Sequence, residues 1–337
     1  MRTARASFEH SRMRFALSLA AVVVGAVLAA QRIKRTGARR SLTPGLAPNE
    51  EVVRLPDGRR VAVASHGDPQ GEPLLLFHGI PGSRLGHEFA DAPARERGVR
   101  VLCPDRPGIG LSDPKSDRTL SGYSDDVAAL ADALGLERFA VVGVSGGGPY
   151  ALACGAKLPD RVTAVGVMAG VGPLDRPGAR EGLSKSDLML LDLSLRRPLL
   201  ARLMLLAMGW VARVAPSMML KSLADELGEH DRRYLEEQER EPGAVGLVST
   251  FVEALRQGAK GTVEEYRVCG QPWGFALEEV RAPVHLWQGE DDRMVPVHHA
   301  EDMAFRLPRA RLDVLPRTGH ISLLRHFGDM LDALPTD

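Results

Sequence analysis

The sequence has little cysteine and contains no familiar metal-binding or phosphate-binding motif. Only three cysteines occur in 337 residues, namely Cys103, Cys154 and Cys269, and their spacing matches no metal-ligand pattern. An odd number in a chain of this length indicates no disulfide framework, so we expect buried thiols. The HExxH and GxxxxGK[ST] patterns are also missing, and the sequence therefore predicts neither a bound metal nor a cofactor.

The chain also lacks net charge. Lys plus Arg and Asp plus Glu each number 43, and hydrophobic residues make up 44%. This composition is typical of a globular protein with a large core, and it excludes collagen-like, coiled-coil and wholly disordered chains. A balanced charge provides no general attraction to nucleic acid, so we expect no nucleic-acid partner. The oligomeric state does not follow from the sequence.

The overall charge balance hides a basic amino-terminal segment. Residues 1–40 contain nine basic residues and one acid, whereas the remainder contains 34 basic and 42 acidic residues. Within this segment, residues 15–30 carry no charge and would span about 24 Å as a helix, somewhat less than the roughly 30 Å hydrocarbon core. Arg14 and Arg32 flank the segment and can extend that length by snorkelling. We therefore expect an uncleaved membrane anchor, with a cleaved export signal or a soluble amphipathic extension as alternatives.

The charges beside the apolar segment predict the side of the membrane. Five basic residues follow it closely, against a net three before it, which favours a body on the cytoplasmic side. If residues 1–30 are instead a cleaved signal, the body is exported. Residues 41–50 include Pro44, Gly45 and Pro48 and are predicted to form a linker.

Beyond residue 50, short apolar runs alternate with helical stretches. Runs at 52–55 and 60–64, separated by Asp57-Gly58, predict a β-hairpin. Later runs have the length of buried strands; they lie at 74–77, 99–102, 139–142, 162–168, 284–287 and 312–315. Continuous apolar strands between helices predict an α/β fold with a mostly parallel sheet that carries helices on both faces.

The strand pattern stops between residues 172 and 282. Leucine and methionine recur there at helical spacing over 188–223, and 226–241 is charged and helical. We therefore expect a helical cap at 173–282, inserted between core segments at 51–172 and 283–337. A helical layer packed elsewhere is the alternative.

Residues 143–147 read Gly-Val-Ser-Gly-Gly, directly after the predicted strand at 139–142 and before a helical stretch at 149–157. GxSxG between a strand and a helix is the nucleophile elbow, a tight turn that raises the serine hydroxyl above a sheet. Glycines flank such a turn because bulkier neighbours would clash. Ser145 is therefore the predicted nucleophile.

A serine nucleophile needs a histidine base and a carboxylate that orients the histidine, and both are expected later in the chain. Asp291 and Asp292 follow the predicted strand at 284–287, and His320 follows the next strand. We favour Asp292 as the acid, with Asp291 as its alternative because adjacent side chains point in different directions. His320 is the predicted base.

Acyl transfer also needs donors for the negative oxygen that develops on the substrate. The backbone N–H of Gly146, just after the nucleophile, is one candidate. The other should come from the loop that begins at His78, after the strand at 74–77. Ile80 is the expected donor there, because Pro81 has no N–H.

These motifs, taken together, resemble those of the α/β-hydrolase fold superfamily over roughly residues 50–335. The matching stretches, in order, are HGIPGSR at 78–84, DRPGIGLSD at 105–113, GVSGGGPYALA at 143–153, GEDDRMVP at 289–296 and TGH at 318–320. The resemblance implies Ser145, Asp292 and His320 as a catalytic triad. It also keeps Asp175, after the strand at 162–168, as an alternative acid.

The predicted activity is carboxylic ester hydrolysis of a hydrophobic small molecule. The methionines of the predicted cap support an apolar substrate group, because methionine fills irregular apolar surfaces; they are Met189, Met204, Met208, Met218 and Met219. Serine at the elbow argues against epoxide or halide chemistry, which the family performs with aspartate. Alternatives on the same fold are carbon–carbon bond hydrolysis, proline aminopeptidase-like cleavage, perhydrolysis, or a binding module without activity.

Overall fold

The computed structural model describes residues 46–238 and 246–334. The segment 1–40, with its predicted anchor at 15–30, lies outside the described residues, and so does the first half of the predicted linker, residues 41–45. Glu50, the last residue of that linker, is already the first residue of a strand.

Eight strands form one sheet: β1 (Glu50–Arg54), β2 (Arg60–Gly67), β3 (Glu72–Phe77), β4 (Val99–Pro104), β5 (Phe139–Val144), β6 (Val162–Met168), β7 (Val284–Gly289) and β8 (Ala310–Leu315). Their order is β1-β2-β4-β3-β5-β6-β7-β8. β1 and β2 form the expected hairpin, and β2 also runs antiparallel to β4, whereas every later pairing is parallel. The predicted α/β class with a mostly parallel sheet is confirmed.

The described helices are α1 (Asp91–Glu96), α2 (Leu120–Ala133), α3 (Gly148–Lys157), α4 (Lys185–Arg196), α5 (Pro198–Val214), α6 (Pro216–Glu226), α7 (Glu229–Gln238), α8 (Leu247–Ala254), α9 (Lys260–Cys269), α10 (Val297–Arg306) and α11 (Phe327–Ala333). Alternating side chains of each central strand point to opposite faces of the sheet. In β3, Leu75 and Phe77 join the cluster that includes α2 and α3, while Leu74 and Leu76 join the cluster with α1 and α11. Helices therefore cover both faces.

Helices α4 to α9 form an insertion between β6 and β7, which we call the helical insertion. The leucine-rich and methionine-rich stretch at 188–223 is divided between α4, α5 and α6. Pro198 and Pro216 each stand at the first turn of a new helix, where a missing N–H costs nothing. Two prolines thus break one apolar stretch into three helices.

Buried ion pairs join the helical insertion to the loops of the core. Arg84 is fully buried, and its Nη1 lies 2.8 Å from Asp105 and 2.7 Å from Glu253 of α8. Arg106, also fully buried, pairs with Glu265 of α9. Separating a buried ion pair would leave each charge buried without a counter-ion, which costs free energy. These contacts therefore hold the insertion in one position against the core.

No single helix of the described residues is long and apolar enough to span a membrane. Helices α5 and α6 meet that criterion of length and composition only as a pair, and they are bent by 118° relative to each other.

Candidate active site

Ser145 lies at the end of β5, in the turn that leads to α3. Its φ angle is 53°, in the left-handed region that non-glycine residues rarely occupy, as expected for a nucleophile elbow. The glycines of the motif allow this turn. A Cβ on Gly147 would lie 2.2 Å from Phe77 O, and one on Gly143 would lie 2.3 Å from Gly147 O. Neither position could accept a side chain without movement of the backbone.

Asp292 and His320 are hydrogen-bonded at the ends of β7 and β8. His320 Nδ1 lies 2.8 Å from Asp292 Oδ2. The other carboxylate oxygen accepts the backbone N–H groups of Met294 and Val295 at 2.8 and 2.9 Å, and Gln288 Nε2 donates to Oδ2 at 2.9 Å. These bonds orient the carboxylate, and the carboxylate orients the imidazole.

The two alternative acids lie elsewhere. Asp291 is exposed, and its Oδ2 lies 3.3 Å from His230 Nε2. Asp175 is exposed on the loop after β6. The structure therefore places Asp292, rather than either alternative, against His320.

His320 is buried among carboxylates. Burial lowers the pKa of its imidazole, but the charge and hydrogen bond of Asp292, together with the charges of Asp231 and Asp187, outweigh this effect. The pKa of His320 consequently lies above its ordinary value of 6.5.

Asp231, on α7 of the helical insertion, was missed by the sequence analysis. Its carboxylate accepts the backbone N–H groups of His320, Ile321 and Ser322 at 2.9 to 3.0 Å, and the hydroxyl of Ser322 at 2.9 Å. It is completely buried. Nothing in its local sequence distinguishes it from the other acids of a charged helix, because the partner segment lies about ninety residues away in the chain.

The loop after β3 lies directly against the elbow. A Cβ on Gly79 would be 3.9 Å from Ser145 Oγ, and one on Gly146 would be 2.8 Å from Ile80 Cγ1. The backbone N–H of Ile80 donates to no residue in the described parts of the chain. Ile80 and Gly146, the two predicted oxyanion donors, are thus neighbours beside Ser145.

Ser145 and His320 line one cavity of about 280 Å³ between the strand-end loops and the helical insertion. Most of its lining side chains are apolar, among them Leu85, Leu190, Met208, Met219, Leu220 and Phe251. Only two of the five methionines named above reach the cavity. Met204 is buried inside the insertion, Met189 packs against its core, and Met218 is 64% exposed. The substrate role expected for those three is not supported by their positions.

Two carboxylates stand at the wall of the cavity formed by the helical insertion. Asp187 accepts hydrogen bonds from Tyr266 Oη and Ser184 Oγ, both at 2.8 Å, and Glu226 accepts one from Ser186 Oγ at 2.7 Å. Burial raises the pKa of Asp187, against the hydrogen bonds that lower it. No lysine or arginine in the described residues lines the cavity.

The family profile described as "alpha/beta hydrolase fold" matches residues 72–327, about three quarters of the chain. This chain belongs to the alpha/beta hydrolase fold family. The superfamily resemblance drawn from the motifs is confirmed, and the match includes the helical insertion together with most of both core segments.

Relatives of this alpha/beta hydrolase carry names for different reactions. A 2-hydroxy-6-oxononadienedioate/2-hydroxy-6-oxononatrienedioate hydrolase of Burkholderia vietnamiensis is 27% identical over 83% of this chain and 92% of its own length. A protein of Caulobacter sp. (strain K31), provisionally named carbamate hydrolase RutD, is 31% identical over 76% of this chain and 87% of its own. Among solved structures, an esterase from Exiguobacterium antarcticum superposes with a TM-score of 0.62 at 19% identity, over 84% of this chain and 97% of that one.

The family therefore establishes a hydrolase without specifying its substrate. For this hydrolase, the site combines a serine with a left-handed backbone, a histidine held by a carboxylate, and a loop after β3 that lies against the elbow. Such an arrangement can support nucleophilic attack on a carbonyl carbon and stabilise the oxyanion that results.

Proposed function

We propose that the chain is a serine hydrolase that cleaves carboxylic esters with an uncharged, hydrophobic group, with the helical insertion as the cap over its site. The observation that supports this most directly is the 2.8 Å contact between His320 and Asp292 at the wall of the cavity that Ser145 also lines. The apolar lining supports a hydrophobic substrate.

In the proposed mechanism, His320 Nε2 takes the proton of Ser145 Oγ, and the oxygen attacks the ester carbonyl carbon. The N–H groups of Ile80 and Gly146 hold the oxyanion. Protonated His320, stabilised by Asp292, then gives its proton to the leaving alcohol, and an acyl-serine remains. A water deprotonated by His320 attacks that ester, the acid is released, and Ser145 regains its proton.

Carbon–carbon bond hydrolysis is the second candidate because of the relative from Burkholderia vietnamiensis. A dienedioate carries two carboxylates, and this cavity would bring them near Asp187 and Glu226 without a described lysine or arginine to balance them. Like charges in a poorly solvated site repel strongly. The cavity wall therefore supports an uncharged ester over a dicarboxylate.

The nucleophile is tested by labelling. The full chain in detergent is treated with a fluorophosphonate and its intact mass is measured, with Ser145→Ala in parallel. We expect one adduct on the parent chain, none on the variant, and loss of aryl ester turnover by about 10⁶-fold in the variant. Full activity in Ser145→Ala would refute the assignment. Turnover of a dienol diketone diacid in preference to the aryl ester would favour the second candidate.

We also propose that residues 15–30 attach the enzyme to a membrane, with the body on the cytoplasmic side. The uncharged segment and its basic flanks support this placement. Alkaline carbonate extraction of cell membranes should leave the full chain in the pellet and release a variant without residues 1–40. Release of the full chain would contradict the anchor, and a mass lacking residues 1–30 would identify a cleaved signal.

A further inference from the structure

An exposed apolar surface runs along α5 and continues onto α6. Six of the ten large apolar side chains that are exposed in the described residues lie between Leu199 and Met218. Leu199, Leu203 and Met218 are 71%, 65% and 64% exposed. On α5 these side chains recur every three or four positions and form one line along the helix, here called the apolar stripe: Leu199, Leu203, Leu206, Trp210 and Val214. Trp210 is half-buried, and the other four are exposed.

The opposite side of α5 packs within the protein. Ala201, Met204, Leu205 and Ala212 are buried in the core of the helical insertion. A surface helix of a globular protein normally turns polar residues to water, whereas α5 is apolar on both faces. Helix α6 has no fully buried residue at all. The apolar stripe is therefore a contiguous exposed patch of the kind that marks an interaction surface.

Basic residues predominate around the apolar stripe, and the acids of α6, Asp225 and Glu226, stand at its carboxyl-terminal end. Residues 193–224 contain no aspartate or glutamate and five basic residues, which are Arg196, Arg197, Arg202, Arg213 and Lys221. None of the five forms an ion pair with a carboxylate of the described residues. In a chain with zero net charge, this cationic and apolar face has the composition of a helix that lies in a membrane interface.

We propose that the face formed by α5 and α6 docks on the surface of an anionic lipid bilayer. The two helices lie on the bilayer and do not cross it, because they are bent by 118° and the inner side of α5 is packed within the protein. Charge complementarity distinguishes this occupant from two others. The segment 1–40 has nine basic residues and one acid, and a second copy would present the same five cations, so either would bring like charges together.

Docking in this orientation also places the cavity beside the bilayer. Met208 of α5, with Met219 and Leu220 of α6, lines the cavity on the side away from the lipid. These two helices then lie between the bilayer and the cavity that holds Ser145. The proposal concerns binding alone, and its test does not depend on whether the chain hydrolyses esters.

Trp210 provides a local probe for the experiment. The chain has three tryptophans, of which Trp273 and Trp287 are only 5% and 3% exposed, and residues 1–45 contain none. Quenching of tryptophan fluorescence by brominated acyl chains therefore reports contact between lipid and the apolar stripe, and not insertion of the predicted anchor. The full chain is reconstituted into phosphatidylcholine vesicles with and without phosphatidylglycerol, both brominated, and Trp210→Phe supplies the background.

We expect bromolipid to quench the Trp210 signal in vesicles that contain phosphatidylglycerol, and added salt to weaken the effect. The double variant Leu199→Glu/Leu203→Glu should lower the ratio of docked to undocked protein by about tenfold or more. Each substitution removes the favourable free energy of transferring a leucine side chain from water into the bilayer. Phe305→Glu is the matched control, because Phe305 is 91% exposed on α10, outside this face, and should leave quenching unchanged.

Far-UV circular dichroism and the melting temperature, compared among the reconstituted variants, check that the fold is intact. If the double variant misfolds, Arg196→Gln/Arg197→Gln serves instead and should weaken quenching on anionic vesicles. The proposal is overturned if Trp210 is not quenched in vesicle-bound protein, or if neither pair of substitutions weakens quenching. It is equally overturned if vesicles without phosphatidylglycerol quench as strongly. If Trp210 is not quenched and the protein is a dimer on the vesicles, the face formed by α5 and α6 binds a second copy of the chain and the proposal is wrong.

Discussion

At the scale of single residues, the site depends on which of two adjacent carboxylates faces His320. Asp292 is buried and receives three hydrogen bonds besides that of His320, whereas Asp291 points to solvent near His230. The geometry gives Asp292 the orienting role, since a carboxylate that is itself held rigidly can hold one tautomer of the imidazole.

Asp292→Asn should therefore lower kcat for an aryl ester by about 10⁴-fold, because an amide stabilises the wrong tautomer and cannot stabilise the imidazolium. The control is Asp291→Asn, one residue away, which should retain nearly full activity. Steady-state kinetics on both variants checks the assignment. Equal losses in the two would show that the acid is wrongly placed.

At the scale of secondary-structure elements, α7 holds the segment that carries His320. Asp231 binds three consecutive backbone N–H groups at 320–322, as a carboxylate does at the start of a helix. The helical insertion thus contributes to the position of His320, the proposed base, as well as to the cavity wall. A shift of α7 would move the histidine.

The pH dependence of activity tests this contribution. Only neutral His320 can accept the serine proton, and nearby carboxylates raise its pKa, so kcat/KM should reach half its maximum above pH 6.5. In Asp231→Asn one negative charge is lost, the pKa of His320 falls, and the midpoint moves to lower pH. We also expect kcat/KM at high pH to fall by about 10- to 100-fold, because His320 would no longer be held in position.

Glu236→Gln, an exposed change on the same helix, is the control and should alter neither quantity. A variant of Asp231 with an unchanged midpoint and only a lower melting temperature would show that this carboxylate holds α7 in place without influencing His320.

At the scale of the whole molecule, the core and the helical insertion together determine the charge of the cavity. Ser145 and His320 come from the core, whereas Asp187 and Glu226 come from α4 and α6 of the insertion. The cavity combines an apolar lining with carboxylates at one wall. We expect such a site to discriminate among substrates by charge as well as by size.

The kcat/KM for a neutral aryl ester should exceed that for a matched ester with a carboxylate by about 100-fold. The substrate carboxylate would be repelled by Asp187 and Glu226, and Coulomb repulsion is large in a partly desolvated site. Asp187→Asn should narrow that ratio. The ratio of kcat/KM for the two esters is unaffected by any change at His320, because such a change alters both reactions equally. Equal rates for both esters with the parent chain would contradict the proposed preference.

The sequence alone determined the features that depend on local chemistry. Apolar runs of strand length identified the sheet, and GxSxG identified the elbow because a tight turn can be made only by residues without bulk at its close contacts, such as Gly143 and Gly147. The order of acid and histidine after the elbow restricted the acid to a few candidates.

Tertiary structure decided what depends on residues far apart in the chain. It separated Asp292 from Asp291, joined Asp231 to a segment about ninety residues away, and placed Asp187 and Glu226 in the same cavity. It also decided which face of α5 is packed. A helix that is apolar all round has no periodicity to indicate its buried side, so only its neighbours in space determine that the apolar stripe is left exposed.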